Sequence, residues 1–82
     1  MGNIHTSGED YLETILVLWN KQNGEVRSID VARELNVTKP SVSNAMKILR
    51  EGKFITMDEN GFITLTDAGR YVAEKIYEKH LV

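Results

Sequence analysis

Between Thr38 and Arg50 the sequence reads TKPSVSNAMKILR. Lys39, Ser41, Ser43, Asn44, Lys47 and Arg50 make a set of short hydrogen-bonding groups flanked by cations, with no carboxylate among them. Cations of this kind meet phosphates, and amides and hydroxyls can meet the edges of bases. An ordinary solvated helix would start with Asp or Glu, because the macrodipole favours negative charge there; Lys39 in that place costs up to about 1 kcal/mol. A phosphate at the same end would reverse the sign of that penalty. The chemistry on offer is recognition of a nucleic-acid backbone and the base edges beside it. No glycine-rich phosphate cradle and no nucleophile–base pairing is present, and a chain this short has little room for a pocket, so an enzyme is not expected. The chain has no cysteine, which excludes disulfides, thiolate zinc and cysteine catalysis and fits a reducing, cytoplasmic setting.

These residues need a helix to hold them. Val42, Ala45, Met46 and Leu49 recur at the spacing of one buried helical face. Thr38 is a good N-cap, and Pro40 falls in the first turn, where its missing N–H costs nothing. Upstream, Ser28 is expected to cap a short helix over 29–35, with Ile29, Ala32 and Leu35 facing inward. Asn36-Val37 is the turn, Asn being able to adopt the left-handed conformation. Residues 28–50 therefore predict a helix-turn-helix.

The remaining elements follow in order. Residues 1–6 are expected to be a flexible tail, and 7–82 one domain. Thr6 or Ser7 should cap a first helix that runs to about Lys21, with Glu9 or Asp10 completing a capping box. Tyr11, Ile15 and Leu18 form one stripe on it, Leu12, Leu16 and Trp19 a second, and Val17 widens the arc. More than half the circumference is apolar, so part of it is expected to meet another subunit or a missing domain. Gln22-Asn23-Gly24 supplies a left-handed exit, and Glu25-Val26-Arg27 reads as a very short strand. After Gly52 the period changes to two. Phe54–Met57 and Phe62–Leu65 predict a hairpin, the wing at 54–65, with Asn60-Gly61 as its left-handed turn residues. Thr66 caps a last helix over 66–80, whose apolar residues include Tyr71, Val72, Ile76 and Tyr77. The fold class is mainly α with a small β-hairpin: a winged helix-turn-helix in the order helix, short strand, helix, helix, strand, strand, helix.

The whole chain has 82 residues and a net charge of −2. A chain of this size buries only about 60% of its unfolded surface. Residues 38–53 hold Lys39, Lys47, Arg50 and Lys53 against Glu51, a local +3, so the remainder carries −5. Positive charge is thus confined to one region, which suits a modest DNA footprint and implies that affinity comes from two copies or a further domain. No apolar run approaches the roughly 18 residues of a membrane span. Met1-Gly2 with Thr6 matches the N-myristoylation pattern and Asn36-Val37-Thr38 a glycosylation sequon; both are short enough to occur by chance.

Three stretches narrow the reading: SGEDYLETIL in the first helix, VTKPSVSNAMKIL in the recognition helix, and LTDAGRYVAEKIYEKH in the last. Together they resemble the N-terminal DNA-binding domain of the diphtheria-toxin-repressor family, the iron- and manganese-dependent repressors, over Ser7 to His80. The resemblance implies operator binding by metal-loaded homodimers, as a repressor of transcription. It implies base or base-step contact by Pro40, Ser41 and Asn44, which agrees with the pairing of Asn with adenine and of Pro or a hydroxyl with a thymine methyl. Thr38, Lys39, Lys47, Arg50 and Arg27 are placed for phosphate, and Ser43 is a weaker candidate on the same face. The resemblance also implies metal ligands at Asp10, Glu13 and His80. Asp10 and Glu13 share a helix face at i, i+3, and a carboxylate at position 10 resembles the manganese-responsive branch. Oxygen ligands with an imidazole suit Mn²⁺ or Fe²⁺. The remaining ligands and the dimerisation domain are expected beyond residue 82, so this chain supplies at most part of a binuclear site, or binds no metal by itself. Asp58 and Glu59 depart from a basic wing and would repel phosphate. The alternative reading is a winged helix used for protein–protein interaction, motivated by that acidic wing and by the broad apolar arc of the first helix.

Overall fold

A computed structural model describes residues 8–80, the side chain of His80 excepted. The expected tail at 1–6, the Thr6 or Ser7 cap and the Met1-Gly2 pattern lie outside the described residues. Four helices and one hairpin follow in order: α1 (Gly8–Lys21), α2 (Ser28–Leu35), α3 (Lys39–Glu51), β1 (Ile55–Met57), β2 (Ile63–Leu65) and α4 (Asp67–His80). The architecture is the expected one, with one element fewer. Residues 25–27 form no strand. They make a single ladder-like contact, in which Ile63 N–H donates to the Val26 carbonyl at 2.8 Å, enough to seat β2 against the α1–α2 connection.

The core is built around α1, whose Ile15 is fully inaccessible, as are Val26, Val31, Ile63 and Ala73. Helix α1 packs against α4, α2, β2 and α3. Most of the apolar arc expected to meet another subunit or a missing domain is covered within the chain. Tyr11, Leu12, Ile15, Leu16 and Leu18 are buried and Val17 and Trp19 half-buried within the chain itself, because four elements surround the helix. Burial pushes the Tyr11 hydroxyl above the usual tyrosine range.

Two local expectations also change in α2. Its N-cap is Arg27, not Ser28, and the Asp30 carboxylate accepts the Arg27 backbone N–H at 2.9 Å. The buried stripe is Val31 and Ala32 with Leu35 half-buried, whereas Ile29 is 42% exposed. Ile29 and Val31, two residues apart on a helix, point to roughly opposite sides, so both cannot face the core.

Three helix ends use a left-handed residue. Asn23 (φ 55°) and Gly24 (φ 85°) close α1, Asn36 (φ 56°) closes α2, and Lys53 (φ 65°) follows α3. At the last of these, Lys53 N–H donates to the Arg50 carbonyl (3.0 Å) and Phe54 N–H to that of Leu49 (2.9 Å), a Schellman closure. This commitment of Phe54 starts β1 one residue later than expected.

The hairpin is antiparallel, pairing Ile55 with Leu65, Thr56 with Thr64 and Met57 with Ile63. Gly61 (φ 84°) alone supplies the left-handed turn residue; Asn60 does not join it. Instead Asp58 Oδ1 accepts the N–H groups of Asn60 and Phe62, each at 2.9 Å. Thr66 caps α4, its Oγ1 accepting Gly69 N–H at 3.1 Å. The same hydroxyl donates to the Lys53 carbonyl (2.7 Å), and Thr66 N–H donates to that of Phe54 (3.0 Å). The first turn of α4 is thereby latched to the chain leaving α3. Gly69 permits the approach: a Cβ there would collide with the Phe54 carbonyl oxygen and lie 2.9 Å from its carbon.

Candidate nucleic-acid interface

Helix α3 starts as its sequence dictates. Thr38 Oγ1 accepts the Ser41 N–H at 3.3 Å, and the Thr38 hydroxyl donates to Ser41 Oγ at 2.9 Å. Pro40 lies in the first turn, which holds no acid. Val42, Met46 and Leu49 are buried, Ala45 half-buried, and this stripe fixes which way the rest of the helix points.

Everything else on α3 is uncovered. Thr38, Lys39, Pro40, Ser41, Ser43, Asn44, Lys47 and Arg50 are all exposed. At 3.6 residues per turn the outer surface divides into two flanks. Ser43, Lys47 and Arg50 line one, Ser41 and Asn44 the other, with Pro40 between them at the helix start. An open depression beside the cationic flank is lined by Lys47, Arg50 and Glu51. Arg27 stands apart from the helix. Its guanidinium lies 4.4 Å from the centroid of the Phe62 ring, at the turn end of the hairpin, while remaining exposed.

Sequence reasoning passed over one residue on this surface. Ile48 is 58% exposed, on the flank of Ser41 and Asn44 and one turn beyond Asn44. Its angular position outside the Val42–Met46–Leu49 stripe was the available signal. The acidic wing also has a local explanation. Asp58 shapes the turn by accepting two backbone N–H groups, and Glu59 sits exposed at the tip.

Asp10 and Glu13 lie one turn apart on α1, both half-buried. Helix α1 packs on α4, the helix that ends at His80, whose side chain lies outside the described residues. Among the described residues no group of three or more His, Cys, Asp or Glu side chains is placed to hold a metal ion. The two carboxylates are hard oxygen donors that fit part of a divalent-cation site.

Residues 3–63 match the family described as iron dependent repressor, N-terminal DNA binding domain. The chain belongs to this family. An iron-dependent repressor domain of this kind is the DNA-binding domain of a transcription regulator. A curated relative, an uncharacterised HTH-type transcriptional regulator of Methanocaldococcus jannaschii, is 33% identical over 72 residues, covering 88% of this chain and 58% of the relative. The transcriptional regulator MntR of Salmonella typhimurium is 33% identical over 76 residues, covering 90% of this chain and 46% of that protein. The repressor domain thus spans about half the length of the curated relatives it matches. Among solved structures, ScaR with bound Zn²⁺ is similar at TM-score 0.73 and 27% identity, over 90% of this chain and 34% of that one. A Staphylococcus aureus MepR–DNA complex is similar at TM-score 0.63 and 26% identity, over 87% of this chain and 57% of that one. Family members are transcriptional regulators. Among the described residues no helix is long and apolar enough to cross a membrane.

Proposed function

We propose that the repressor domain binds operator DNA with α3 in the major groove. The observation that carries this reading is the bare outer face of α3, whose hydrogen-bonding and cationic residues are all exposed. Pro40, Ser41 and Asn44 contact base edges; Asn44 can pair bidentately with adenine, and Pro40 can lie against a thymine methyl. Lys47 and Arg50 on the other flank, with Ser43 beside them, meet phosphate, as do Thr38 and Lys39 at the helix start. Arg27, steadied on Phe62, adds a phosphate contact from outside the helix. The wing, its tip acidic, stays out of the groove. The alternative of a protein-docking winged helix is less favoured, because most of the apolar arc of α1 is covered within the chain.

In the whole protein this domain acts within a cytoplasmic, homodimeric, metal-dependent repressor. Asp10, Glu13 and His80 supply part of a site for Mn²⁺ or Fe²⁺, completed by residues elsewhere. The metal would tie α1 to α4; the residues of α3 do the reading.

The test is a fluorescence-anisotropy titration of duplexes selected from a random pool against scrambled ones. Lys47→Ala should weaken all sequences alike and lower the slope of log K against log salt by about one. Equal affinity for selected and scrambled duplexes would reject the reading.

A further inference from the structure

We propose that Ile48 is a specificity-determining residue that reads the C5 methyl group of a thymine in the major groove. The inference rests on the placement of α3 in that groove and goes beyond it, because a family of polar contacts does not require an aliphatic side chain there. Ile48 is the most exposed aliphatic side chain among the large exposed hydrophobics, at 58%, on a face otherwise made of Ser, Asn, Lys, Arg, Glu and Pro. It contributes little to the core, which the stripe of Val42, Met46 and Leu49 beside its flank already holds. Lys or Arg would be a better helix former at an exposed position. The major groove presents one apolar feature to such a side chain, the methyl of thymine. Ile48 follows Asn44 by four residues, a rise of about 6 Å. At 3.4 Å per base along a strand, the thymine it reads lies about two base pairs from the base read by Asn44.

Duplexes selected from a random pool with the full 82-residue chain provide the test. Each thymine is replaced in turn by deoxyuridine, which keeps every hydrogen-bonding edge and removes only the methyl. With the native chain, one replacement, at a thymine other than any that Pro40 covers, should weaken binding about fourfold, the effect of burying a single methyl-sized group. That position should lie about two base pairs from the one whose preference Asn44→Ala relaxes. With Ile48→Ala the same replacement should have no effect, and Ile48→Val should retain part of it. Equal deoxyuridine sensitivity in the native chain and Ile48→Ala would overturn the proposal. So would a uniform loss over all duplexes, or a self-association that Ile48→Ala abolishes, since either would give the side chain another role. A pool that yields no preferred sequence would instead remove the major-groove reading beneath it.

Discussion

Helices α1 and α3 are of similar length, 14 and 13 residues, and carry opposite burdens. Helix α1 is apolar around most of its circumference and is wrapped by α2, α3, α4 and β2. Helix α3 buries one stripe and leaves the rest bare. The difference teaches where stability and recognition reside. One helix holds the fold, with only Asp10 and Glu13 of its polar residues drawn on as candidate ligands; the other is held by the fold and leaves its polar face exposed.

Substitutions in the two helices should therefore separate the two properties. The largest effect is expected from Ile15→Ala, which empties a site that is fully inaccessible. It should cost about 2–5 kcal/mol in a urea melt, with DNA affinity per folded molecule unchanged. Asn44→Ala is the mirror image. It should cost about 1–3 kcal/mol of binding to a selected duplex and relax the preference at one base, with the melt barely moved. If either variant shifted both properties equally, the division between the helices would fail.

Gly69→Ala sharpens the comparison at the joint between α3 and α4. The added Cβ meets the Phe54 carbonyl, so a loss of about 1–3 kcal/mol is expected in the same melt. The smallest change comes from Lys53→Gly. It relieves a left-handed Lys and should stabilise the domain by up to about 1 kcal/mol, while removing a cation at the foot of α3. Measured together, melt and salt-dependent titration would show whether the strained Lys is kept for its charge.

How much of this was legible depended on whether the signal was local. The start of α3 was, since Thr38 and Pro40 act within their own turn. The exit at Asn36 was legible for the same reason, and the hairpin announced itself by its period. Lys53 was hidden because it adopts the conformation of the Asn and Gly exits without their side chain, beside a Gly52 whose φ of −79° is ordinary. The arc of α1 was seen, but periodicity reports how much surface is apolar and not what covers it. A central helix and an interface helix look alike until the other elements are placed around them. Ile29 was misassigned because three apolar residues at helical spacing defined a stripe that Val31 displaces by half a turn. On the outer face of α3, the exposure of the polar residues was legible from their types and spacing. Ile48 was passed over because the outward face was read for polar and charged types, and an aliphatic residue is neither.

The contact between Gly69 and Phe54 sets terms for anyone who would rebuild this module. The outer side of α4, with Tyr71, Glu74, Lys75 and Glu78 all exposed, can be rewritten to accept a new fusion or effector. Position 69 offers no such latitude, because the alphabet there has one letter. A redesign that respects that letter inherits the bearing of α3; one that ignores it must rediscover that bearing.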